Sequence, residues 1–217
     1  MCIKQFDLIP GIRDRSSCEH CSTERDIVMT NTPTLYTDRL LLTPFKLEDA
    51  PAVQQRFPLW EIVQYLNNRV PWPYPEDGAL HYIQDVALQA IASGTEWHWM
   101  IRLHRAPQEI IGSITLMTHR GNNRGFWLHP DWQGNGYMKE ACRVVNRQWF
   151  EVMGMPVMQV PKAAPNEASR RISINEGMRI VSTHEGEFVS GRFEVEVWEM
   201  TRQEWLARAL QAGISNV

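Results

Sequence analysis

Two glycines one residue apart, Gly134 and Gly136, stand between an apolar strand end, Trp127-Leu128-His129, and a helical pattern that opens at Tyr137 and Met138. A strand, a glycine turn and a fresh helix N-terminus make an anion site. Backbone N–H groups without intrahelical partners converge there, and the helix dipole favours negative charge. Glycine also leaves room for a phosphate to approach the backbone. The same order fits a plain strand-to-helix turn. Two familiar phosphate motifs do not fit: the dinucleotide fingerprint needs a third glycine where Lys139 stands, and the P-loop needs a closing Gly-Lys-Ser/Thr. A second polar pair, Asn166 and Ser169, lies downstream. Three residues apart, the two share one turn of a helix, and Asn166 is equally suited to cap it.

These groups need elements to hold them. After the glycines, Met138, Ala141, Cys142, Val145, Trp149 and Val152 repeat on one helical face, which predicts a helix over 136–153. Trp97, Trp99, Ile101 and Leu103 alternate with His98, Met100 and Arg102. Strands over 97–103, 109–117 and 124–129 are joined by short turns and so form an antiparallel meander. Further strands are expected over 40–45, 156–160, 178–184 and 193–200, the last two as a hairpin. Helices are expected over 48–57, 59–66, 76–92, 166–176 and 201–210, with Gly94 and Gly177 as stops. In the 76–92 helix, Ala79, Ile83, Val86, Ala87 and Ala90 form the face to be buried. Pro71, Pro73 and Pro75 alternate in the loop before it and forbid a regular helix or inner strand. Trp72 and Tyr74, between those prolines, either cover the core edge or wall an acceptor pocket. The class is α+β with a mixed, mostly antiparallel sheet flanked by helices.

A chain of 217 residues with 43% hydrophobic and 22% charged residues suits a single globular domain. The net charge of −3 gives no electrostatic reason to expect nucleic-acid binding. No apolar run approaches the ~20 residues that cross a bilayer, and no signal-peptide pattern opens the chain. The expectation is a cytoplasmic protein, monomer or homodimer, without membrane or nucleic-acid partners. Residues 1–32 lack sustained periodicity and are expected to be a disordered extension of a domain spanning 33–217, with Met29 an alternative start. Cys18 and Cys21 are spaced as a zinc pair, but no second pair follows, so no metal is expected.

The string Gly125-Phe126-Trp127-Leu128-His129-Pro130, continuing through Trp132-Gln133-Gly134-Asn135-Gly136-Tyr137-Met138 and Glu140-Ala141, resembles the pyrophosphate loop of the GNAT acetyltransferases, in the branch of the ribosomal-protein N-acetyltransferases. Asn166-Glu167-Ala168-Ser169-Arg170-Arg171 with Asn175-Glu176-Gly177-Met178, and Thr37-Asp38-Arg39-Leu40-Leu41-Leu42, match two further motifs in order, so that the resemblance spans roughly 33–207. It implies acetyl-CoA as cosubstrate and a splayed strand pair that holds it. The backbone of Gln133, Gly134, Asn135, Gly136, Tyr137 and Met138 would take the pyrophosphate. That of Trp127, Leu128 and His129 would take the pantetheine arm, with the Leu128 N–H on the thioester oxygen. Asn166 would touch the pantetheine, Arg171 matches a family arginine, and Ser169 would protonate the leaving thiolate. The acceptor would be a primary amine, on a protein or a small molecule, bound near Trp72 and Tyr74. Relatives often carry a glutamate base where Asn123 stands. The base is therefore open: His119, His129, a water chain, or none if the amine arrives partly neutral. A catalytically silent acyl-CoA sensor of the same fold is the competing expectation.

Overall fold

The computed structural model describes residues 32–211. Strands β1 (Leu35–Tyr36) and β2 (Leu40–Pro44) lead into short helices α1 (Ala50–Arg56) and α2 (Trp60–Val63). The proline loop follows. Helix α3 (Gly78–His81) then passes through a wide-turned π segment, Tyr82–Ala87, into α4 (Leu88–Ala92). The meander is β3 (Glu96–Leu103), β4 (Ala106–Met117) and β5 (Arg124–Leu128). Helix α5 (Tyr137–Arg147), extended by a second wide-turned segment, Gln148–Val152, leads to β6 (Val157–Ala163) and α6 (Glu167–Glu176). The hairpin β7 (Arg179–Phe188) and β8 (Gly191–Thr201) and helix α7 (Arg202–Gln211) close the described chain.

The strands form two hydrogen-bonded sheets, ordered β1-β2-β3-β4-β5 and β6-β8-β7, with every pairing antiparallel. No ladder joins β5 to β6. They meet at one point. Asn123 N–H donates to the Gln159 carbonyl at 2.7 Å, and Gln159 N–H donates to Asn123 Oδ1 at 2.8 Å. Past that point the strands part, which realises the splayed pair.

The β3 alternation sorts its residues onto two cores. Trp97, Trp99, Ile101 and Leu103 join Leu128 and the α5 residues Met138, Ala141, Cys142 and Val145 on one face. Met100 joins Phe45, Val53, Ala79, Ile83 and Ala87 on the other. Both faces of β3 are thus covered, so even His98 is fully buried. Three expected positions differ. Val86 and Val152 are 50% and 46% exposed, and Ala90 is only half-buried. Val86 and Val152 lie in the wide-turned segments. A wider turn holds i, i+4 pairs such as Ala79–Ile83–Ala87 on the core face and rotates the residues between them outward.

Beneath the splay lies a buried polar knot. Arg124 of β5 makes a two-pronged ion pair with Glu176 of α6 (2.9 and 2.8 Å), and both bind Asn146 of α5. The Arg124 side chain is wholly buried and the Glu176 side chain nearly so. The pair holds the guanidinium firmly protonated despite its burial. Removing one partner strands the other charge. Glu176→Ala is expected to cost about 3 kcal/mol or more in urea unfolding, whereas Arg124→Leu with Glu176→Leu costs much less.

Candidate functional site

Gly134 and Gly136 adopt φ of +76° and +78°, a left-handed conformation that strains any residue with a Cβ. The surrounding space is open: a Cβ at Gly134 would meet nothing within 4 Å, and one at Gly136 only the Arg39 guanidinium at 3.6 Å. Backbone conformation, not crowding, is what demands glycine here. Gly136 caps α5, and the first intrahelical bond runs from Glu140 N–H to the Gly136 carbonyl. The N–H groups of Tyr137, Met138 and Lys139 therefore have no partner inside the helix. Arg39 pins the loop from outside. Its guanidinium binds Glu140 and the Asn135 carbonyl (3.1 Å) and lies 4.6 Å from the Tyr137 ring centre. Thr37 also binds Glu140. The Asn135 side chain closes the turn onto the Gln133 carbonyl at 3.0 Å.

The β4–β5 register places Ser113 opposite Trp127 and Gly112 opposite Leu128. His129 N–H donates to the Ile111 carbonyl, and Met117 N–H to that of Asn123. Antiparallel alternation then turns the N–H and C=O of Gly125 and Trp127 toward β4, and those of Phe126 and Leu128 toward the open edge facing β6. Of the three expected backbone contacts, Leu128 alone offers its N–H to the gap. Its carbonyl is taken by Gln133 Nε2 at 2.9 Å, which ties the strand end to the glycine loop.

Asn166 caps α6, its Oδ1 accepting from Ser169 N–H at 3.1 Å. The Ser169 hydroxyl accepts a 2.6 Å hydrogen bond from Lys162 Nζ on β6. That ammonium also lies 5.2 Å from the Phe126 ring of β5, so Lys162 bridges the two splayed strands while it holds Ser169. The sequence reading missed Lys162. The signal was present: it continues the buried row Met158, Val160 on one face of a strand, where a lysine is out of place. Arg39 was seen only as part of a motif, because its contact with Glu140 spans 101 residues.

Trp127 points to the opposite face of the sheet. Phe57 packs edge-on against Trp127 (5.5 Å between centroids) and Tyr74 (5.2 Å), which brings the proline loop to β5. Burial pushes the Tyr74 phenol up to about 12. Trp72 packs instead at a tilt against Trp60 and stays exposed. The tip of the β7–β8 hairpin closes this side, with Val189 N–H on the Leu66 carbonyl and Asn67 bridged to Phe188.

Other candidates stand apart. His119 is in the β4–β5 turn beside Glu96 (3.4 Å), at the far end of β5 from Leu128. His129 Nδ1 accepts from Asp131 N–H. Arg171 is exposed and lies 3.9 Å from Glu167. Every polar atom of the Asn123 side chain is engaged, with Met117, His119 and Gln159. It serves as a clamp and has no capacity left for proton transfer. Among the described residues no three His, Cys, Asp or Glu side chains group as metal ligands, and no helix is long and apolar enough to cross a membrane. Cys18 and Cys21 lie outside the described residues.

Solved structures share this architecture. A RimL ribosomal L7/L12 α-N-protein acetyltransferase in complex with coenzyme A superimposes with a TM-score of 0.68, at 14% identity, over 79% of this chain and 99% of the other. A ribosomal-protein-S5-alanine acetyltransferase from Vibrio fischeri gives 0.67, at 13% identity, over 80% and 98%. A microcin C7 self-immunity acetyltransferase, MccE, in complex with acetyl-CoA and AMP gives 0.63, at 15% identity, over 76% and 93%. Comparison with curated protein sequences finds no match. Residues 39–179 match the family described as the acetyltransferase (GNAT) domain, which takes in the glycine loop, the splayed strands and α6. The chain belongs to the GNAT family of acetyltransferases.

Proposed function

We propose that the protein transfers the acetyl group of acetyl-CoA directly to a primary amine, across the gap between β5 and β6. The observation that carries this reading is the open edge of β5, where the Leu128 N–H faces the gap and Gln133 ties the strand end to a left-handed glycine loop at a helix N-terminus. The free N–H groups at Gly136–Lys139 suit a pyrophosphate, and an unpaired strand edge suits the amide groups of a pantetheine arm. Acetyl-CoA supplies an activated acyl group. The chain supplies position and polarity. A fixed backbone donor at Leu128 meets the oxygen on which charge develops, with little reorganisation. Ser169, across the gap on α6, gives a proton to the departing sulfur.

The acceptor would approach from the other face, where Trp127, Phe57 and Tyr74 form an aromatic wall closed by the β7–β8 hairpin. A wall of rings under a proline-stiffened loop suits an amine on a slender group: a protein N-terminus or a small molecule. With Asn123 spent as a clamp, no carboxylate stands in the position that relatives use as base, which favours an amine delivered partly neutral or relieved by water. The same fact favours the second reading, a sensor that binds acyl-CoA without turnover. A panel of amines and N-terminal peptides, scored for CoA release and product mass, separates the two. The transferase gives an acetylated product with equal CoA, and the sensor gives binding alone.

Two variants test the parts. Gly136→Val forces a β-branched residue into a left-handed turn and is expected to weaken acetyl-CoA binding by more than about tenfold in calorimetry while the fold persists. Unchanged affinity would remove the glycine loop from the site. Ser169→Ala deletes one oxygen and is expected to lower kcat by at least about tenfold with acetyl-CoA affinity nearly intact. A loss of affinity alone would recast Ser169 as a binding residue.

A further inference from the structure

We infer that Lys162 is the proton source behind Ser169, so that a Lys162–Ser169 relay, rather than the serine alone, protonates the leaving thiolate. The inference rests on the transferase reading. Its ground is geometric: Lys162 Nζ donates to Ser169 Oγ at 2.6 Å, lies against Phe126 on the facing strand, and sits on a residue only 5% exposed. An alcohol that gives up a proton must regain one, and the ammonium is already hydrogen-bonded to its oxygen.

The surroundings set the acidity of that ammonium. Burial, and then the Arg124 charge of β5, push it down from 10.5 to about 7. Cys142 of α5 and Glu176 of α6 oppose the shift, but Glu176 is committed to Arg124 and Asn146. Burial raises the Cys142 thiol to about 12, so it is neutral near pH 7. Glu196 of β8, opposite Lys162 in register, is committed to Arg170 of α6. A thiol has a pKa of ~8.5, so an ordinary lysine at ~10.4 would keep its proton in the presence of a thiolate. A lysine near 7 gives it up downhill. In the step, the amine nitrogen bonds to the acetyl carbon and the carbon–sulfur bond breaks. The sulfur takes the Ser169 proton, and the Ser169 oxygen takes one from Lys162. The new amide loses its extra proton to water, and water recharges Lys162.

Lys162→Met is nearly isosteric and should fold, because it removes a poorly solvated cation. The folded pKa is depressed, so the unfolded chain binds the extra proton between about 7 and 10.5. Below that window Lys162 carries its full cost, which fades as pH rises through it. The variant's gain in melting temperature should therefore be larger at low pH than at high pH.

The test pairs NMR titration of 13C-labelled lysine with kcat measured across pH, at saturating acetyl-CoA and an amine found by the panel. One lysine, identified by its loss in Lys162→Met, should titrate near neutrality. Wild-type kcat should fall as pH rises through that value. In Lys162→Met this falling limb should vanish, kcat should drop by about tenfold or more at the acid end, and KM for acetyl-CoA should change less than about twofold. Ser169→Ala should lose the same limb. A Lys162 that titrates near its ordinary value, or turnover whose falling limb survives in Lys162→Met, overturns the relay alone. A wild-type chain that releases no CoA with any amine overturns the transferase reading and the relay together.

Discussion

The structure depends on a separation. Two antiparallel sheets touch through the hydrogen bonds between Asn123 and Gln159 and then diverge, leaving one edge of β5 without a partner strand. An unpaired strand edge inside a fold is costly unless something meets its polar groups. Here Gln133 takes one carbonyl, Leu128's, and Lys162 and Ser169 line the far side of the gap. The Leu128 N–H faces the gap. Holding the gap open requires strong closure at its base, and the Asn123 clamp and the Arg124–Glu176–Asn146 knot lie there.

The separation also orders the chemistry. The α5 and α6 face carries the glycine loop and the Lys162–Ser169 pair. The opposite face carries Trp127, Phe57 and Tyr74. On the proposed reading, donor and acceptor would approach one point from these two sides, and proximity would do much of the work. The polar residues around the gap are tuned by burial, since low-dielectric surroundings lower the lysine and raise the thiol beside it.

Much of this was legible in the sequence, where the pattern was local. The β3 alternation, the glycine pair ahead of an amphipathic helix, and the Asn166 and Gly177 caps each follow from residues within one turn or strand of each other. Less was legible where partners are distant. Asn123 reads as a missing base until Gln159 is beside it. Lys162 continues the buried row of Met158 and Val160, a local signal that went unread, but its contact with Phe126 spans two strands. Val86 and Val152 fit an ideal helical face, but wide turns rotate them to solvent. That Leu128, and not Trp127 or His129, turns its N–H to the gap follows from strand register, which no side-chain pattern encodes.

The central claim is that acetyl-CoA enters the gap between β5 and β6 with its phosphates on the glycine loop. Backbone amide NMR during an acetyl-CoA titration tests it most directly. The account predicts the largest shifts at Leu128, Gly134, Gly136, Tyr137 and Met138, with little change in the amides that β4 and β5 exchange, such as Trp127. Shifts centred on another part of the molecule, or none at saturating ligand, would contradict it.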